Sequence, residues 1–172
     1  MTKRVFGAAI LLLGIIGVSP LAATFPGGVS TVFRVTGDVR DPTSFDLQKL
    51  EELPVANQNV TYFAAGTVVT QSFTGALLWD LLQSVGIIVD PNIKNDILRK
   101  IVIVTGSDGY QSVFGAGEIN PTFGGTQIMV AYAADGQPLG QDGFARIVAP
   151  GDKAGGRFAS NIVKIEVRDA SQ

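Results

Sequence analysis

The closing stretch Phe144-Ala-Arg-Ile-Val-Ala-Pro-Gly-Asp-Lys-Ala-Gly-Gly-Arg157, continued by Phe158-Ala-Ser-Asn-Ile-Val-Lys-Ile-Glu-Val167, decides how the rest of the chain is read. Phe144, Ile147 and Val148 give its first part strand character, and Pro150-Gly151 ends it. Ile162 to Val167 alternates as a half-buried strand does, with Lys164 and Glu166 on the wetter face. Between the two strands lie Gly151, Gly155 and Gly156, with Arg146, Lys153 and Arg157 beside them. Glycine lets a backbone approach a ligand closely and offers N–H groups, and the cations add charge suited to a phosphate. Taken alone, the same residues also describe a solvated loop with scattered charges.

Upstream, Val32 to Val39 alternates as a strand and Asp41-Pro42 turns it. Leu47, Leu50 and Leu53 recur at helical spacing before Pro54, which predicts a short amphipathic helix with all three leucines in the core. Asn59 to Gly66 reads as a buried strand running into a loop, and Val68 to Phe73 as a second strand. Thr74-Gly75 then predicts a turn into a helix over 76–86, with Leu77, Leu78, Leu81, Leu82 and Val85 on one apolar face, Trp79 packing and Gly86 as terminator. The polar segment 90–100 holds a short helix or loop, and β-branched Ile101 to Thr105 is a buried strand. Ser107-Asp-Gly-Tyr110 is a turn, Gln111 to Phe114 a strand, and Gly115 to Gly125 a glycine-rich loop carrying Glu118. Ile128 to Ala133 is a further strand, followed by a hairpin turn at Asp135-Gly136. No segment repeats in tandem.

Composition bounds the answer. With 172 residues, 46% hydrophobic and 16% charged, the chain has material for one domain with a real core. Lys3 and Arg4, the apolar run from Val5 to Val18 and the small-residue exit Ser19-Pro-Leu-Ala-Ala23 have the layout of a signal peptide cleaved after Ala23. The run is short against the roughly 20 residues of a membrane span. The expectation is an exported protein, periplasmic or secreted, with residues 1–23 as signal, 24–31 as linker and 32–169 as the domain. Acidic residues outnumber basic ones 15 to 13, which speaks against nucleic acid, or a membrane after signal cleavage, as partner. The chain has neither cysteine nor histidine. That excludes disulfides, the common zinc sites, histidine-ligated haem and histidine-based catalytic triads. Asp38, Asp41, Asp108, Asp135 and Asp142 sit beside Gly, Pro or Arg, where carboxylates serve turns. Glu118 is the acid least explained this way and is a pocket candidate. Tyr62, Tyr110 and Tyr132 are assigned to core or pocket wall.

In this order the segments resemble the oxidoreductase molybdopterin-binding domain of the sulfite oxidase family. The matching motifs are the Leu-x-x-Leu-x-x-Leu-Pro54 helix, Phe73-Thr-Gly75 before a leucine-rich helix, Ser107-Asp-Gly-Tyr110, Met129-Val-Ala-Tyr-x-x-Asp-Gly-x-Pro-Leu139 and the closing Arg-x-x-x-Pro-Gly and Ile-Glu-Val segments. The resemblance implies an α+β fold of mixed sheets and short helices. It also implies cofactor-binding roles for Arg146, Lys153, Gly155 and Arg157. In active members of the family a cysteine thiolate in a Glu-Cys-x-Gly-Asn segment ligates the molybdenum. The matching Phe63-Ala-Ala-Gly-Thr67 puts Ala64 at that ligand and Phe63 at the acid. Asp152 stands where an aromatic is common, and Asn161 where tryptophan is usual. The expectation is therefore an exported molybdopterin-binding-like domain without standard oxidoreductase catalysis, binding a small molecule or a protein partner. No cofactor is the first expectation, and the retained loop cations leave molybdopterin open. The alternative is a molybdopterin-dependent oxidoreductase with unusual metal ligation. Thr2-Lys-Arg-Val-Phe6 is similar to a twin-arginine export motif with lysine for the first arginine, and the strong apolar core favours the general secretory route.

Overall fold

The computed structural model describes residues 27–171. The expected signal peptide, 1–23, and the first residues of the expected linker lie outside them. Two five-stranded sheets make the body of the domain. The first has the order β2-β1-β10-β5-β6, from Thr43–Phe45, Phe33–Gly37, Ile162–Asp169, Lys100–Gly106 and Gln111–Gly115. The second has the order β3-β4-β7-β8, from Val55–Ala64, Thr67–Leu77, Met129–Ala134 and Gln137–Pro138, with β9 (Arg146–Val148) also paired to β7. Three short helices complete it: α1 (Leu47–Glu51), α2 (Leu78–Val85) and α3 (Ala116–Ile119). The fold is α+β, as the resemblance implies.

The closing strand, β10, is the centre of the first sheet. It runs parallel to β1 and antiparallel to β5, with Ile165 opposite Val35 and Val104. A register shift between Ile162 and Lys164 explains why its buried residues fall at Ile162, Ile165 and Val167 rather than at strict alternation. The stretch before it, around β9, belongs to the second sheet. Ile147 donates to the Ala159 carbonyl and Ile162 to that of Ala145, so the two ends of the glycine loop are tied where the sheets meet. One continuous core collects Phe33, Val35 and Val104 from one sheet and Val60, Phe73 and Ile147 from the other.

Several local expectations change. Thr74-Gly75 is no turn: β4 runs through it to Leu77, and α2 starts at Leu78. Gly75 is where β4 and β7 press together, and the local register shift lies between Thr74 and Gly75. In α2 the buried face is Leu78, Leu81, Leu82 and Val85. In α1 only Leu50 is fully buried, because the helix is a single turn capped by the Asp46 carboxylate; Leu47 faces solvent. The predicted loop from Gly115 contains α3. The Asp135-Gly136 turn is as expected, with φ of 51° and 73° at its two central residues, the mirror-image geometry that suits strand twist. The linker is not loose at its described end: Gly27 donates to Ser107 and Ser30 to the Asn161 side chain.

Candidate functional site

The site builds up from the glycine loop. After β9, Pro150 to Ala154 crosses to the tip of β3, where the Phe63 amide donates to the Lys153 carbonyl at 2.9 Å. Phe63 also bridges Ala154 in parallel register. This places the loop against the strand end that carries half-buried Ala64. A single helical turn, Gly155–Arg157, follows. A Cβ on Gly155 would sit 3.1 Å from the Tyr62 ring, so its close approach is to that ring, which itself packs on Phe158 at 4.7 Å.

An open cleft of about 480 Å³ lies beside this turn. Its chemistry comes from Ser107, Asp108, Tyr110, Gln141, Ser160 and Asn161, and Gly155 and Gly156 form part of the wall. Tyr110 is half exposed, and its hydroxyl donates to the Gly156 carbonyl. The Asp108 carboxylate accepts the Tyr110 amide at 2.9 Å, fixing the turn that carries the ring. Asn161 is the junction of the wall. At φ 49° it occupies the left-handed region that asparagine tolerates. Its side chain accepts from Ser30 at 3.0 Å and donates to the Gln141 carbonyl at 2.8 Å. Its backbone joins Ser107 and Asp142. Asn161→Ala, which deletes both side-chain bonds and leaves a strained φ, should lower unfolding free energy by about 2 kcal/mol, read from urea denaturation.

The residues expected to bind a cofactor are near one another in the chain but not in one pocket. Of Arg146, Lys153, Gly155 and Arg157, only Gly155 lines the cleft. Arg146 lies largely buried, about 6 Å from the Phe73 and Phe158 ring centres, and pairs with Asp142 at 2.6 Å. Its Nε is buried without a partner among the described residues. Arg157 is held on both sides. Asp152 takes two of its N–H groups at 2.7 and 2.8 Å, Glu118 takes two more at 3.2 Å, and the guanidinium lies 4.7 Å over Phe114. The hydrogen bonds to Asp152, opposed by burial and reinforced by Glu118, push its pKa above the usual arginine value. Glu118, the acid with no turn to serve, has its explanation here. Lys153 points into solvent. Asp38 and Asp142 likewise serve ion pairs, with Lys100 and Arg146.

The sequence reading singled out the turn Asp108-Gly-Tyr110 but not its place on a cleft wall, nor Gln141 and Ser160. No local pattern marks them, because three separate loops bring them together.

Two sheets joined by a glycine loop, with a cleft beside that loop, define an α+β domain of mixed sheets and short helices. The chain belongs to the oxidoreductase molybdopterin binding domain family, whose profile matches residues 29–172. Among solved structures it is similar to the sulfane dehydrogenase SoxCD from Paracoccus pantotrophus, with a TM-score of 0.66 and 19% identity. That match covers 80% of this chain and 38% of the other, so this chain spans well under half of its neighbour's length. No curated protein matches it.

Proposed function

We propose that this chain is an exported member of its family that has left metal-thiolate chemistry and binds a small polar molecule in the cleft beside Tyr110. The observation that carries the reading is the tip of β3. It lies against the glycine loop and presents Ala64, whose methyl group has no lone pair, at the position where the family resemblance expects a thiolate. With no cysteine in the chain, no other thiolate can replace it.

The cations also fit poorly with a bound pterin phosphate. Arg157 already holds two carboxylates and Arg146 one. A phosphate at Arg157 would have to displace Asp152 and then sit beside a released negative charge. The residues present therefore do not fit a molybdenum pterin held in the family's manner, and no catalytic step is assigned to one. The cleft has a different chemistry. It is walled by hydroxyls, amides, one carboxylate and one exposed aromatic ring, without a lysine or arginine. Such a wall suits a neutral or cationic ligand offering hydrogen-bond donors, and it disfavours anions.

Elemental analysis and oxidised-pterin fluorescence of the protein from its native exported fraction test this. The expected result is neither molybdenum nor tungsten nor pterin at a level near the protein's own. Metal and pterin together near one per chain would sink the reading and favour an oxidoreductase with unusual ligation.

A further inference from the structure

Strand β3 is an edge that the described chain covers only at its Phe63 end. Among the described residues its only strand partner is β4, from Val55↔Ala76 to Ala64↔Thr67, without a register shift, beside the single bridge from Phe63 to Ala154. In such a ladder alternate residues direct their amide and carbonyl away from the partner strand. The Phe63 amide, which donates to Lys153, identifies the outward set as Val55, Asn57, Asn59, Thr61 and Phe63. Apart from Phe63, none of these has a backbone partner on its outward side among the described residues. All four side chains of the remaining set are exposed.

Natural edges of this length are normally protected by lysine, proline, a bulge or a covering loop. The other edges here are protected by shortness: β2 and β9 have three residues, β8 has two including Pro138, and β6 has five. The hairpin from Val55 to Leu77 contains no charged residue and no proline in a chain that is 16% charged. Its outer face is a ladder of small polar groups, with Thr61 and Thr70 hydroxyls 2.8 Å apart and Thr74 donating to Asn57 at 2.8 Å.

We propose that β3 pairs antiparallel with β3 of a second copy of this chain, joining the two second sheets into one. The free run is bounded by Pro54, which has no N–H, and by Phe63, whose amide the Lys153 carbonyl already caps. A two-fold axis at Gln58 is the register that uses every free outward group. It sets Val55 opposite Thr61 of the second copy and Asn57 opposite Asn59 of the second copy, with each such pair exchanging two backbone hydrogen bonds. On the other face Ala56 meets Val60 of the second copy, and Gln58 meets its own counterpart. An uncharged edge does not repel its own copy, and the match is self-complementary in donors and acceptors at every position. The outward groups between Pro54 and Phe63 are symmetric about Gln58, so one two-fold register leaves none of them unpaired, which is the ground for taking a second copy as the occupant.

Sedimentation velocity of the exported chain tests the proposal. The expected result is a reversible monomer–dimer equilibrium with a dissociation constant on the order of 10 to 100 μM. The double substitution Asn57→Lys with Asn59→Lys sets like charges directly opposite across the two-fold, and should raise that constant by about tenfold or more. The pair Asn57→Lys with Asn59→Glu sets opposite charges across the same junction and should restore dimerisation. Thermal melting of each variant at a concentration where the wild type is monomeric separates lost pairing from lost folding. A wild-type chain that stays monomeric to about 1 mM would overturn the proposal, as a foreign partner for the edge would also require. Equal dimerisation of both variants would overturn it too, because the register would then be wrong.

Discussion

Replacing Lys100 by methionine should destabilise the domain by about 3 kcal/mol, the low end of the cost of breaking a buried ion pair. Lys100 opens β5 with a side chain only 7% exposed. Its ammonium lies 2.9 Å from Asp38, just after β1, and 3.1 Å from Asp169, at the end of β10, with Asp96 at 3.8 Å. One cation thus fastens the ends of three adjacent strands. Asp96 is buried and the Asp169 side chain is only 8% exposed, so removing Lys100 leaves their charges underpaired in a region that water solvates poorly. Arg99 stays within 3.3 Å of both and keeps the loss at the low end of the range.

The pH dependence follows with its sign. Hydrogen bonds from Ser171, then from Lys100, hold Asp169 below the usual carboxylate range. Burial works against the Lys100 charge, but the bonds to Asp38 and Asp169 outweigh it and keep its pKa above the usual lysine value. Glu166 is likewise lowered, first by Arg168 and then by Lys164. A lowered carboxylate pKa contributes stability that is present above its unfolded value, about 4, and is lost as pH falls towards its folded value. A raised lysine pKa contributes stability that is present below about pH 10 and is lost above it. Urea midpoints of the wild type should therefore be level between roughly pH 5 and 9 and fall below about pH 4. The gap between wild type and Lys100→Met should narrow on acidification, since protonation relieves the orphaned aspartates. A gap that widens in acid would show that the cluster does not stabilise the fold through its charges.

Gly75→Ala should cost about 3 kcal/mol or more, for a reason independent of charge. A Cβ at Gly75 would lie 2.3 Å from the Val130 carbonyl oxygen and 2.6 Å from the Ala131 Cα. Both are backbone atoms of β7, so no side chain can move aside, and the sheet itself would have to open. The strand that would shift also pairs with β8 and β9, and β9 carries Arg146 and leads into the glycine loop. Damage at Gly75 should therefore lower the melting temperature and change the fluorescence of Trp79, which lies in α2 directly after β4. Gly156→Ala is the control. That residue has open space where its Cβ would stand, and the same measurements should be nearly unchanged. Equal destabilisation by both would remove the crowding argument.

The residues made much of this fold legible before any coordinates. Ile162 to Val167, Ile101 to Thr105 and Ile128 to Ala133 are dense in β-branched or apolar side chains, which is what strands in a sheet interior require. Leu78, Leu81, Leu82 and Val85 repeat at helical spacing, and Asp135-Gly136 has the residue types of a tight hairpin. These signals are local, since they depend on the preferences of a residue and its near neighbours along the chain. The α+β class and the family followed from the order in which such segments occur.

What the residues did not show are features whose deciding neighbour lies far along the chain. Thr74-Gly75 has the composition of a turn, but β7, more than fifty positions away, makes it a strand at a point of close contact. Arg146 and Arg157 each have an acid within five residues, Asp142 and Asp152, but Glu118 reaches Arg157 only because the fold brings α3 to the glycine loop. The cleft is assembled from four separate chain segments, around residues 28, 108, 141 and 158, that share no motif. The free edge of β3 exists only because of the order of strands in its sheet. Composition and periodicity determined which elements this protein has. Tertiary structure alone decided that Glu118 reaches Arg157, that Gly75 is crowded and which backbone groups of β3 remain free, because each depends on residues distant in sequence.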